Sequence, residues 1–214
     1  MRRLLPLAAL VGLGLVTWAL LSDLDGEALR ARHAELAGIV AAYPVMAPAV
    51  ALLVYAAAVA ACLPVALWIT LALGFAFGTW WGGLLSVAGG TLGSVLTFLV
   101  TRTSLGSPLR QRAGPWLARV EGALRGGMWG FLLAIRLVPV LPAWVTNTVP
   151  ALLNVPTGIF VLTTALGIAP ATFVLAGLGA GLAEVFAKGG SVDLSALAGI
   201  AVLGPIAAGV VLAA

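Results

Sequence analysis

One arginine dominates the chemistry that this sequence can offer. Arg136 lies in Phe131-Leu-Leu-Ala-Ile-Arg136-Leu-Val-Pro139, with apolar residues on both sides. A guanidinium at the centre of a membrane helix costs about 2.5–3.5 kcal/mol on insertion scales, so it is normally kept for a wet cavity, a partner or an anionic substrate. No acid occurs between residues 45 and 101 or between 128 and 154, which removes the obvious internal ion pair. The partners expected are backbone carbonyls freed by Pro139 and Pro142, or a bound anion such as a phosphate. The alternative is a stem that snorkels to the cytoplasmic interface. Asn147, flanked by Thr146 and Thr148, is the second marker, because an amide in an apolar run needs partners and a re-entrant turn would supply them. Arg136, Asn147, Pro139, Pro142 and Thr146 therefore form the expected substrate-binding set.

Other chemistry is poorly provided for. There is no serine–histidine pair, aspartate dyad or histidine cluster in the apolar runs, so an enzyme is not expected. His33, the only histidine, sits in a polar linker without a second ligand nearby, and neither a metal site nor a cofactor is expected. Cys62 is the single cysteine, which excludes an internal disulfide.

The elements that must position Arg136 follow from composition. Of 214 residues, 62% are hydrophobic, and only eleven basic and seven acidic residues are present. A soluble domain carries about 25% charge to keep its surface wet. The chain is thus expected to be an all-α, polytopic membrane protein built from apolar stretches of about 20 residues. Its arginines fall in short loops, where they read as topology determinants and not as a nucleic-acid surface.

Met1-Arg2-Arg3 precedes an apolar run from Leu4 to Leu21, read as an anchor because no small-x-small cleavage pattern follows. Residues 23–43 suggest an amphipathic interfacial helix. Residues 45–102 are apolar for nearly sixty positions, broken at Pro64 and at Gly74-Phe75-Ala76-Phe77-Gly78. Residues 103–127 are basic, with Pro115, Trp116, Leu117, Val120 and Leu124 suggesting a second interfacial helix. Residues 128–154 are interrupted by Arg136, Pro139, Pro142, Asn147 and Pro150. A span is expected over 155–175, then a glycine-rich link with Gly177, Gly179 and Gly181, a loop with Glu184, Lys188 and Asp193, and a final span over 194–214.

Charge parity then sets the topology. Arg2 and Arg3 put the N-terminus in the cytoplasm, the acid-rich 22–44 segment outside and the arginine cluster of 102–125 inside. An odd number of crossings must separate 45 from 101, so the piece ending between Pro64 and Gly78 is expected to enter, break and return, leaving 79–101 to span. Residues 128–154 repeat this from the opposite face, breaking around 139–147. Two inverted hairpin-plus-span repeats result, an arrangement that points to a midplane transport site. The alternative is a plain bundle of six to eight spans with proline-kinked helices. Gly82, Gly83, Gly89, Gly90 and Gly93 predict close helix packing. Arg102 reads as a positive-inside anchor, and Trp80 and Trp81 as markers of the outer interface.

These motifs resemble the DedA/VTT-domain membrane proteins, also called SNARE-associated Golgi proteins, over roughly residues 45–182. The resemblance rests on Leu63-Pro64, Gly74 to Gly78 with Phe77, Phe98 followed by Arg102, and Gly130-Phe131. It continues with Arg136-Leu137-Val138-Pro139, Pro142, Asn147, Phe160, Thr164, Gly167, Pro170 with Thr172, and Gly179-Ala180. The ordered set looks like the Arg-Leu-x-Pro-x-x-Pro branch. Many members carry acids in the first hairpin and a second arginine six residues after the first; here the hairpin has no acid and that position is Pro142. The resemblance implies opposed re-entrant hairpins, with Pro64, Gly74, Phe77, Gly78, Gly167, Pro170 and Gly179 as structural markers. It also implies movement of lipids or lipid-linked phosphates between leaflets.

The expected organisation is an anchor and interfacial helix (1–44), a transport domain (45–182), and a polar loop with a C-terminal span (183–214). The expected activity is translocation of phospholipid or polyprenyl phosphate, with Arg136 meeting the phosphate. A small-anion or metal-species transporter and a non-transporting assembly factor are the alternatives. Membrane lipids are the expected partners, without nucleic acid, and a homo-oligomer is left open. The Ala/Leu/Gly/Arg bias suggests a bacterial cytoplasmic membrane with both termini in the cytoplasm.

Overall fold

The computed structural model describes residues 26–63, 65–105, 117, 120–122, 124, 126–137 and 141–188. Among them the chain is helical and contains no strand. The expected spans at 4–21 and 194–214 lie outside the described residues, as do Pro64, Pro115, Trp116 and Pro139. The chain divides into two compact units, one of Met1–Glu35 with Leu182–Ala214 and one of Leu36–Gly181. In the first, Lys188 pairs with Glu184 at 2.5 Å on exposed helix surface. The second carries the groove and the polar cluster described below.

The helices are α1 (Gly26–Ala42), α2 (Met46–Ala60), α3 (Ala66–Val100), α4 (Met128–Leu137), α5 (Ala143–Leu152) and α6 (Thr157–Ala187). A π-helical turn, Thr101–Leu105, closes α3. Two helices are long and apolar enough to cross a membrane, Ala66–Ser104 and Thr157–Ala187. The segments His33–Ala42 and Met46–Ala60 form a further apolar pair, bent by 114°.

The first of these long helices is not one rod. Gly78 has φ 80° and ψ 175°, a conformation essentially confined to glycine. A Cβ on Gly82 would stand 2.6 Å from the Leu73 carbonyl oxygen, so the chain folds back on itself at Gly78. Residues 79–104 then measure roughly 39 Å at 1.5 Å per residue, enough for a hydrocarbon core of about 30 Å. Residues 66–77 form a short arm. That arm runs antiparallel to α2, where the Tyr55 and Thr70 hydroxyls bond at 3.0 Å. Tyr55, Val59, Leu73 and Leu85 make the shared core.

Glycine lets the long limb of α3 lie against its neighbours. A Cβ at Gly93 would meet the Ala56 carbonyl oxygen of α2, and one at Gly83 would stand 2.6 Å from the Phe173 ring of α6. The close packing read from the glycine spacing is present. An apolar groove of about 670 Å³ remains between α1, α2 and the short arm, walled by Ile39, Tyr43, Met46, Val50, Trp68 and Phe77.

Two helix ends are built alike. After α2, Cys62 takes φ 54°, its N–H donates to the Val59 carbonyl, and the Leu63 N–H donates to the Ala58 carbonyl. After α5, Asn154 takes φ 54°, with Asn154 N–H to Ala151 O and Val155 N–H to Pro150 O. Both are left-handed caps that satisfy the last carbonyls of a helix and turn the chain.

Three expectations need correction. In the second hairpin α4 ends at Leu137 and α5 begins at Ala143, so the interruption does not extend to Asn147. Pro142 caps α5, as an N-terminal proline can because its missing N–H is not needed there. The glycine-rich stretch 177–181 is no link: α6 continues through Pro170 to Ala187, with Gly179 packed against Leu71 and Phe75 of the short arm and Gly177 facing Thr79. Finally, Leu117 and Leu124 are buried, and Leu117 packs with Val149 and Leu152 of α5, so this helical stretch belongs to the core.

Candidate functional site

α4, α5 and α6 meet around Arg136. Phe160, Thr164 and Gly167 are spaced four and three apart, which puts them on one face of α6. Gly167 leaves that face bare, and the Arg136 stem lies on it: a Cβ added to Gly167 would be 2.5 Å from the Arg136 Cβ. The guanidinium then passes over the Phe160 ring, 5.2 Å from its centroid. α5 closes the third side with Thr146 and Asn147, both buried.

The hydrogen bonds are made to neutral oxygens. Arg136 Nη2 donates to Asn147 Oδ1 at 2.8 Å and to Thr164 Oγ1 at 3.0 Å, and Nη1 donates to Thr146 Oγ1 at 3.3 Å. Thr146 in turn donates to the Ala143 carbonyl at 3.1 Å. Five N–H donors thus meet three acceptors among the described residues. The bond to Oδ1 also fixes which way the Asn147 amide points. Its Nδ2 is left buried with no acceptor, in a residue with no exposed surface. A buried donor without a partner is unfavourable by about 1–3 kcal/mol. The arrangement is therefore a cluster of N–H groups with a surplus of donors and one full positive charge, and it suits an oxyanion.

A second arginine borders the cluster. Arg102, in the π-helical turn, donates from Nη1 to the Val155 carbonyl at 3.3 Å and lies 5.9 Å from the Phe98 ring centroid. Phe98 and Phe160 are stacked, with centroids 4.3 Å apart and planes inclined by 21°. Both rings are buried.

Of the residues expected from sequence, the structure brings Arg136, Asn147 and Thr146 together. Asn147 lies mid-helix and is answered by Arg136; among the described residues Arg136 is answered by the side chains of Thr146, Asn147 and Thr164. Pro142 is exposed at the start of α5, and Pro139 is outside the described residues. Among the structural markers, Gly78 is the fold-back, Phe77 joins the Tyr55 core, and Gly74 and Gly179 face α6 and the short arm respectively. Gly167 seats Arg136, and Pro170 is exposed within α6. Thr164 and Phe160 were not among the expected binding residues; their spacing with Gly167 on a span was the signal that ties them to one face.

The VTT domain family profile matches residues 63–181, more than half of the chain. The chain belongs to the VTT-domain family. It is similar to transmembrane protein 41B of Danio rerio, 32% identical over 120 residues, covering 56% of this chain and 42% of that protein. The Mus musculus protein of the same name is 31% identical over 114 residues (53% and 39%), and the Homo sapiens one 30% over 114 residues (53% and 39%). The chain spans about two-fifths of the length of these relatives. No solved structure matches. The VTT domain begins at the turn between α2 and α3 and ends within α6, so it contains Arg102, Arg136, Thr146, Asn147 and Thr164. It is a membrane domain with its apolar helices arranged around these polar residues.

Proposed function

We propose that this VTT domain lets phosphate-bearing lipids, phospholipid or polyprenyl phosphate, cross between leaflets, with Arg136 receiving the phosphate part-way. The observation that carries the reading is the donor surplus around Arg136 and Asn147 Nδ2, whose partners among the described residues are neutral. Thr164 and Gly167 stand roughly 10 and 15 Å along α6 from Thr157 at the α-helical rise. With Thr157 near one headgroup layer, the cation sits close to mid-bilayer. There it lowers the barrier that hydrocarbon raises against an anion.

In this reading, 46–77 and 128–152 are re-entrant hairpins of opposite orientation, each followed by its span. Irregular backbone at membrane depth is tolerated where it lines a wet cavity. Residues 46–101 and 128–181 contain no Asp, Glu, Lys or His, which favours exchange down a gradient over proton coupling. The setting proposed is a bacterial cytoplasmic membrane with cytoplasmic termini.

The test is reconstitution into liposomes with fluorescent phospholipid or a polyprenyl phosphate, comparing wild type with Arg136→Ala. Faster leaflet exchange, lost in the variant, is expected. Wild-type protein that exchanges neither lipid refutes the proposal; a flux of small anions instead would point to an ion carrier.

A further inference from the structure

Two arginines flank one pair of stacked rings. Phe98 and Phe160 are 4.3 Å apart, too close to admit a guanidinium between them. Arg102 over Phe98 and Arg136 over Phe160 must therefore lie on the outer faces, giving the order Arg102, Phe98, Phe160, Arg136. The three separations are 5.9, 4.3 and 5.2 Å, so the two charges are no further apart than about 15 Å. Each cation is held by the negative face of a ring that is itself buried and supported by the other ring.

The two ends differ in surroundings. Arg136 is recessed among Thr146, Asn147 and Thr164. Arg102 is exposed, and so are its neighbours Thr103 and Ser104, whose hydroxyls lie 3.4 Å from each other. The Thr103 hydroxyl already donates to the Leu99 carbonyl at 2.8 Å, which leaves the Arg102 N–H groups and the Ser104 hydroxyl to meet a phosphodiester, which accepts hydrogen bonds on several oxygens. The segment is π-helical, a departure from the α-helix that is frequent at functional sites.

We infer that Arg102, with Ser104, is a loading station for the phosphate of a lipid headgroup, one ring-stack away from the Arg136 station. This rests on the translocation reading above and adds to it a second station and a path: the headgroup is captured at the membrane surface and handed inward beside Phe98 and Phe160. Arg102 governs capture, and Arg136 governs passage.

The experiment uses full-length protein in phosphatidylcholine vesicles carrying increasing mole fractions of fluorescent phosphatidylglycerol. Arg102→Gln is expected to raise the half-saturating fraction about fivefold or more while the maximal exchange rate stays within about twofold. Arg102→Lys, which keeps the charge, is expected to restore half-saturation. Arg136→Gln is expected to lose the maximal rate. A purely structural clip to the Val155 carbonyl would instead lower the maximal rate with half-saturation unchanged, and that result overturns the inference. So does an Arg102→Gln protein that matches wild type. Free phosphate offers the same chemistry: wild-type saturation that is insensitive to inorganic phosphate supports a lipid headgroup, whereas Arg102-dependent inhibition at low millimolar phosphate overturns it. If wild type exchanges no lipid, both readings fail; if it does but half-saturation ignores Arg102, only the loading station fails.

Discussion

Adding one methyl group to Gly167 tests how Arg136 is held. In Gly167→Ala the new Cβ would stand 2.5 Å from the Arg136 Cβ and 3.1 Å from its Cγ, against carbon contacts of about 3.5–4.0 Å. The arginine must withdraw by about 1 Å, and α4 has to move or the stem has to leave its rotamer. Either motion stretches the 2.8 and 3.0 Å bonds to Asn147 and Thr164 beyond useful length. Overpacking costs about 1–3 kcal/mol, and each lost bond from a charged donor about 1.5–3 kcal/mol, less whatever water restores. A net loss of about 3 kcal/mol is expected. The assay is thermal or denaturant unfolding of the protein in nanodiscs, followed by tryptophan fluorescence. Gly130→Ala and Gly158→Ala serve as controls, since a Cβ at either meets nothing within 4 Å. They should be neutral or stabilising by up to about 1 kcal/mol, because alanine is the better helix former. If Gly167→Ala unfolds with the controls, the claim that bare backbone seats the arginine is refuted.

Two further outcomes follow from the same geometry. Gly78→Ala should destabilise by about 1–3 kcal/mol, because φ 80° with ψ 175° is closed to a Cβ even though the space around it is open; unfolding at the wild-type midpoint would show that the fold-back tolerates side chains. Asn147→Asp places a carboxylate on the guanidinium at the 2.8 Å contact. It should leave the protein folded by circular dichroism while reducing leaflet exchange at least tenfold, since the internal anion competes with phosphate. Exchange at the wild-type rate would remove Asn147 and Arg136 from the path.

Much of this site was legible because hydrocarbon makes polar residues conspicuous. Arg136, Thr146 and Asn147 stood out in an apolar run with no acid, and the structure joins them. Their mutual bonding was not legible: residues ten and eleven apart meet only because the chain turns back between α4 and α5. Thr164 is further still, 28 residues from Arg136, and a threonine on a span has a local alternative in its own helix, as Thr163 shows by bonding Ile159. Glycine was read correctly at 78 and misread at 177–181. In water a glycine cluster ends helices, whereas here lost side chains let α6 lie on the short arm. The stretch around Leu117 and Leu124 shows the same limit: an apolar stripe does not say whether lipid or protein will cover it.

The guanidinium at 136 also has an electrical meaning. Its partners among the described residues are all neutral, so in the translocation reading proposed above the site would hold a fixed positive charge within the field across the bilayer. An anion passing it would be stabilised there, but its own charge would still move through the voltage. Each elementary charge carried across changes the free energy by about 2.3 kcal/mol per 100 mV. For an anionic lipid the resting potential of the cell, and not the protein, would then decide which leaflet fills.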